Sequence, residues 1–207
     1  MFPDFPASEI MAVLAKDPVL AAIIGKGQPL KSSKSEDLYF KLLSAIVSQQ
    51  LSTKVAAVIF RRFIELFPDN YPHPHLVQQT PDEVLRSAGL SFQKIGYVRN
   101  VAAFAAAGNL EHATIDALED EALINHLTQI KGVGRWTVEM LLMFALERPD
   151  VFPTDDLGIQ NAIKKHYGLE ETGKALRLRM QAIAENWRPY RSIASKYLWQ
   201  SLDNTPK

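Results

Sequence analysis

The stretch Leu127-Thr128-Gln129-Ile130-Lys131-Gly132-Val133-Gly134-Arg135-Trp136-Thr137 decides the fold. Before it, Leu123, Leu127 and Ile130 form an apolar stripe at helical spacing; after it comes the apolar run Met140 to Leu146. Two glycines around one apolar residue permit a tight turn with positive φ and close approach of another backbone. Residues 119–147 therefore read as helix, hairpin, helix. The turn feeds the N-terminus of the second helix, where unpaired amides and the helix dipole favour an anion such as a phosphate. Lys131 and Arg135 flank it and add positive charge. An ordinary interhelical turn fits Gly132-Val133-Gly134 as well. A dinucleotide-binding fingerprint does not, because no strand precedes and the third glycine is absent.

Outward from this hairpin, helical periodicity continues in both directions. Ser35, with Glu36 and Asp37 in the first turn, opens a helix over 35–50. Ser52 caps a second over 53–67, which stops before Pro68. Thr80-Pro81-Asp82-Glu83 has the form of a capping box, and Gly89 closes that helix. Further helices are expected at 8–16, 18–24, 91–107, 156–167, 173–186 and 190–202. No stretch alternates in the manner of a strand, so the expected fold is all-α, with about ten helices. The proline-rich stretch Phe67 to His75 reads as a loop. His73 and His75 lack a nearby third ligand and read as a solvated turn.

Composition narrows the function. The 207 residues include no cysteine, which excludes disulfide scaffolds, thiol enzymes and Cys-ligated zinc or iron–sulfur centres. Hydrophobic residues make up 47%, enough to fill a core, so disorder is disfavoured. The longest apolar run is too short for a bilayer. The start, Met1-Phe2-Pro3-Asp4, has no basic segment leading into an apolar one, so no signal peptide is visible. A cytoplasmic location (nucleoid-associated in a bacterium, nuclear in a eukaryote) is the expectation. Twenty-three basic residues balance twenty-three acidic ones, so there is no global basic excess of the kind many nucleic-acid binders carry.

The second chemical feature is Phe152-Pro153-Thr154-Asp155-Asp156-Leu157-Gly158, one helix and a connection beyond the hairpin. Thr154 or Asp155 suits an N-cap, and both carboxylates could simply cap the following helix. The distance from Gly134 also lets a phosphate-gripping hairpin and a carboxylate serve one strand of DNA.

Four motifs in order carry a resemblance. Residues 127–137 are similar to the hairpin of the helix-hairpin-helix DNA glycosylase superfamily, which ends in a Gly/Pro-rich loop and an essential Asp. Gly132 to Thr137, Phe152-Pro153 with Asp155-Asp156, and Trp187-Arg188-Pro189-Tyr190-Arg191-Ser192 with Trp199 resemble the 3-methyladenine DNA glycosylase II branch. Ala45-Ile46-Val47-Ser48-Gln49-Gln50-Leu51-Ser52 is similar to that branch's loop that enters the duplex. The resemblance covers roughly residues 35 to 202. It implies two helical subdomains, 35–149 and 1–34 with 150–207, and an active-site cleft between them.

The resemblance also implies chemistry. Asp156 would be the catalytic carboxylate, stabilising the positive charge that grows on the sugar as the glycosidic bond breaks. Asp155 is then left to cap the helix or support it. Trp136 and Trp199 would line the pocket and attract a cationic alkylated base, with Met140 and Gly158 also lining it; Gly158 could widen the cleft. Core packing is the other reading of both tryptophans.

Gly132, Val133, Gly134 and Arg135 would grip the backbone. Gln50 or Leu51 would wedge into the gap left by the flipped nucleotide, with Ser52 and Lys54 beside them. The carbonyls of Thr128, Ile130 and Val133 would hold a monovalent cation (Na or K) bridging to phosphate. No other cofactor is required. Bifunctional members carry a nucleophilic Lys where this chain has Trp136, so no lyase activity is expected.

The expected partner is double-stranded DNA with damaged bases, bound by a monomer that makes no membrane contact. A positive rim of Lys131, Arg135, Lys164, Lys165, Arg188 and Arg191 would be balanced by Glu119, Asp120 and Glu121 elsewhere. The alternatives are a glycosylase for uracil or deaminated purines, a non-enzymatic helix-hairpin-helix DNA-binding protein, and a helical interaction scaffold.

Overall fold

The computed structural model describes residues 6–35 and 37–203. Glu36 and the opening Met1-Phe2-Pro3-Asp4 lie outside the described residues. All regular structure among the described residues is helical. In chain order the helices are α1 (Ala7–Leu14), α2 (Pro18–Lys26), α3 (Leu38–Ser48), α4 (Thr53–Ile64), α5 (Pro74–Gln79), α6 (Asp82–Ser87), α7 (Phe92–Ala106), α8 (His112–Ala117), α9 (Asp120–Leu127), α10 (Arg135–Phe144), α11 (Leu157–Tyr167), α12 (Gly173–Ala184) and α13 (Arg191–Asp203). Short 3-10 turns add Pro68–Asn70 and Glu185–Trp187.

Capping chemistry explains where these helices begin, and where the sequence misleads. Asp17 caps α2, Ser52 caps α4 and Ser91 caps α7, each accepting backbone N–H groups of the first turn. Helix α3 starts later than expected because Asp37, not Ser35, supplies the cap, accepting from Phe40 N at 2.8 Å. The capping box at Thr80 does not form. Pro81 occupies the N-cap position with no side-chain bond, and the Thr80 hydroxyl donates back to the Leu76 carbonyl at 2.7 Å. The expected loop at 67–75 gives way at Pro74, whose fixed φ starts α5. Helix α8 was not expected at all.

The chain divides into two compact units, residues 1–34 with 142–207 and residues 35–141. The division falls within α10, ahead of the expected boundary at 149/150, because the last turn of that helix packs with the C-terminal residues. The unit of 35–141 is organised around α7, against which α3, α5 and α6 pack. Its core includes Leu42, Leu43, Ile46, Phe63, Leu85, Val98 and Leu123, all fully enclosed. In the other unit α13 packs on α2 and α11. Trp187 is fully buried there among Leu14, Leu20, Ile163 and Met180, and its indole N–H donates to Asp17 Oδ2 at 2.9 Å. That bond, with one from Tyr167 Oη at 2.7 Å, joins the start of α2 to two distant segments.

Candidate active site and nucleic-acid interface

The loop carrying the Asp pair is tied down from three helices. From α13, Arg191 Nε donates to Asp150 Oδ1 at 2.7 Å, and Val151 N donates to Ser192 Oγ at 2.9 Å. From α12, Arg177 pairs with Asp155. From α11, Gln160 Nε2 donates to the Thr154 carbonyl at 2.8 Å. The motif 187–192 thus serves as the brace of this loop.

Asp156 stands at the end of the loop and is buried. It is also the N-cap of α11: Oδ1 accepts from Ile159 N at 2.8 Å. The same oxygen accepts the indole N–H of Trp199 at 2.8 Å. Capping therefore belongs to Asp156, and Asp155 is an exposed partner of Arg177 rather than the cap. Gly158 makes the Trp199 contact possible, since a Cβ there would lie 2.8 Å from both Cδ1 and Nε1 of the indole and 3.0 Å from Asp156 Oδ1.

Trp199 is held from another side by Phe144, whose ring stacks on it with centroids 5.6 Å apart and planes 26° apart. The Lys196 ammonium lies 4.8 Å from the Phe144 centroid. Burial lowers the pKa of that ammonium, and Glu147 acts in the opposite direction. Sequence reasoning missed Phe144, which lies within the apolar run Met140 to Leu146, and Lys196.

In the other unit the hairpin and the loop after α3 come together. Gly132 has φ +107°, and a Cβ on it would lie 2.3 Å from the ring of Tyr97. No residue but glycine fits this turn over that ring. Gln49 Nε2 donates to the Gly132 carbonyl at 3.0 Å, and Asn100 Nδ2 donates to the Lys131 carbonyl at 3.0 Å. Gln50 is exposed, with φ +58°, whereas Leu51 is half-buried beside Ser48 and Phe60. Ser52 and Lys54 are exposed at the start of α4.

A family model for the HhH-GPD superfamily of base excision DNA repair proteins matches residues 43–189. The chain belongs to this superfamily. Within the HhH-GPD proteins it falls in the 3-methyladenine branch. It is 35% identical to DNA-3-methyladenine glycosylase 1 of Schizosaccharomyces pombe, over 88% of this chain and 80% of that one. Its fold matches the S. pombe 3-methyladenine DNA glycosylase solved with abasic DNA at TM-score 0.79 and 34% identity, covering 92% of this chain and 95% of the other. A DNA-3-methyladenine glycosidase from Bacillus halodurans matches at TM-score 0.84 and 33% identity, covering 97% and 91%.

Charge in this HhH-GPD chain is arranged differently from the expected rim. Arg135 is bound by Glu121 and by Glu139, the latter at 3.0 Å from its Nε. The hydrogen bond from Arg135 holds the Glu121 carboxyl below its ordinary pKa. Glu121 is therefore a partner of the hairpin arginine and not a remote counterweight. Arg188 and Arg191 are engaged with Asp150 and Glu185. Lys131 and Lys165 are exposed, and Lys164 is half-exposed. Trp136 is 46% exposed on the first turn of α10, and Met140 lies half-buried one turn on. No helix of the described residues is long and apolar enough to cross a membrane.

Proposed function

We propose that the protein is a monofunctional DNA glycosylase that removes alkylated, 3-methyladenine-type bases from duplex DNA by hydrolysing the N-glycosidic bond. The observation that carries this is the Trp199–Asp156 pair in a chain of this branch. Two N–H donors on one oxygen hold the carboxylate in a single orientation. A fixed carboxylate beside C1′ stabilises the developing sugar cation at no reorganisation cost, and it can orient the attacking water. Asp156 is the catalytic residue in this scheme, and Asp155 braces its loop through Arg177.

Cationic bases alkylated at N3 or N7 are good leaving groups, so little acid assistance is required. The face of Trp199 favours such a cation by roughly 0.5–2 kcal/mol. Gly158 lies against that indole. A Trp at position 136 offers no nucleophilic amine, so no Schiff base forms and the strand is not cut.

The hairpin amides of Gly132, Val133, Gly134 and Arg135 grip the backbone, with Ser52 and Lys54 as flanking contacts. Gln50, at the exposed left-handed tip, is the wedge in preference to the half-buried Leu51. The carbonyls of Thr128, Ile130 and Val133 suit a sodium or potassium ion. Among the described residues only that of Ile130 accepts a hydrogen bond, from Val133 N at 2.9 Å, and each carbonyl oxygen has two lone pairs. Bound there, the ion would supply positive charge toward a phosphate. Binding requires only one copy of the chain. Incubation with methylated duplex DNA tests the proposal. Free 3-methyladenine is the expected product, and release from uracil- or hypoxanthine-containing duplex alone overturns the choice of lesion.

A further inference from the structure

Helix α7 presents Lys94, Tyr97 and Asn100 at three-residue spacing, hence on one face. All three touch the DNA-facing loops of their unit. Lys94 Nζ donates to the carbonyls of Val47 at 2.7 Å and Gln49 at 2.9 Å, the end of α3. The ring of Tyr97 lies under Gly132, and Gln93 Nε2 fixes its hydroxyl at 2.7 Å. Asn100 holds the Lys131 carbonyl. Gln49, whose own carbonyl Lys94 holds, reaches across to Gly132.

Helix α3 ends abruptly, because Gln49 is extended and Gln50 is left-handed. Such an end leaves carbonyls without helical partners and a negative dipole end. A partly buried ammonium with several donors answers both needs at once.

We propose that Lys94 is a positioning residue that, together with Gln49, clamps the loop at residues 49–51 to the hairpin, so that wedge and phosphate grip act as one rigid piece. The proposal rests on the reading of these two loops as the DNA-contacting elements. Flipping requires the wedge to enter while the backbone is held. If the loops could move independently, the backbone grip would not drive the wedge into the stack. The clamp therefore matters in proportion to the pairing that must be broken, and not to the bond cleavage that follows.

The experiment uses single-turnover excision of 7-methylguanine from two duplexes, one with cytosine opposite the lesion and one with an abasic site opposite. The second presents an unpaired base and keeps the phosphates. Lys94→Met is expected to slow excision from the paired duplex by about tenfold or more, the worth of a charge-assisted hydrogen bond. Excision opposite the abasic site should fall by less than about threefold, since less unpairing energy is needed there. Lys94→Arg, which keeps donors and charge, should recover most of the paired rate. Gln49→Ala should share the selective loss, and it decides the matter alone if Lys94→Met does not fold. Equal losses on both duplexes, or no loss, overturn the clamp. A wild-type protein that excises from neither duplex and also releases no 3-methyladenine from methylated duplex overturns the glycosylase reading itself.

Discussion

The indole N–H of Trp199 and the backbone N–H of Ile159 converge on the same oxygen of Asp156, each at 2.8 Å. One donor comes from α13 and the other from the first turn of α11. The carboxylate is thereby tied to two helices at once. Trp199→Phe keeps an aromatic ring but removes the donor together with part of the indole's volume. It is expected to lower kcat/KM for methylated duplex by roughly ten- to a hundredfold, as for loss of a hydrogen bond to a charged group. The melting temperature should move by less than about 4 °C. Single-turnover excision and a thermal melt measure both. An unchanged rate would make Trp199 a packing residue only.

Gly132 and Gly134 differ in what surrounds them. Gly132 has φ +107° and the Tyr97 ring in the space a Cβ would take, whereas Gly134 has nothing within 4 Å of that position. Gly132→Ala combines left-handed strain with overpacking and should cost about 2–4 kcal/mol. Gly134→Ala should stay within about 1 kcal/mol. Urea unfolding of the two variants provides the comparison.

Asp17 contributes a pH-dependent part of the stability of its unit. Burial pushes its pKa up, but donors from Trp187, Tyr167, Leu20 and Val19 outweigh this and hold it below the ordinary carboxylate value. A carboxyl depressed in the folded state contributes stability above its unfolded pKa of about 3.9 and loses it as pH falls through the folded value. Asp17→Asn should therefore cost about 1–3 kcal/mol at neutral pH. The gap to wild type should close below about pH 4. Chemical unfolding at several pH values tests the sign: a gap that widens in acid contradicts it.

On the proposed reading, Trp136 stands where the resemblance places the nucleophilic lysine of lyase members. Borohydride treatment during turnover should yield no covalent protein–DNA adduct, and product strands should remain intact until alkali is added. Adduct at appreciable yield would require another amine near C1′.

Much of this was legible locally. The starts of α2 and α4 follow from Asp17 and Ser52, and the ends of α6, α7 and α11 from Gly89, Gly108 and Gly168, each within a few positions of the end it sets. The hairpin was legible for the same reason, since its turn needs Gly132 itself. Partners distant in sequence were not. Asp155 and Asp156 are both within reach of the helix start, and Arg177, on another helix, takes the first of them. Arg188 and Arg191 read as free surface charge until the fold delivers Asp150 to them. Lys94 and Gln49 carry no signature, because an ammonium capping the end of another helix is a tertiary event. Gly158 read as added space in the pocket, but it is also the gap through which the Trp199 indole meets Asp156.

The most direct test of the central claim is Asp156→Asn. Asparagine keeps an oxygen able to accept from Ile159 and Trp199, so the fold should survive, and affinity for duplex bearing an abasic site should stay within about threefold of wild type, because phosphate contacts dominate binding. If Asp156 is the catalytic carboxylate, removing its charge should reduce single-turnover release of 3-methyladenine by at least about a hundredfold. Near-wild-type release by a folded, DNA-binding Asp156→Asn protein would contradict the assignment of Asp156 as the catalytic carboxylate.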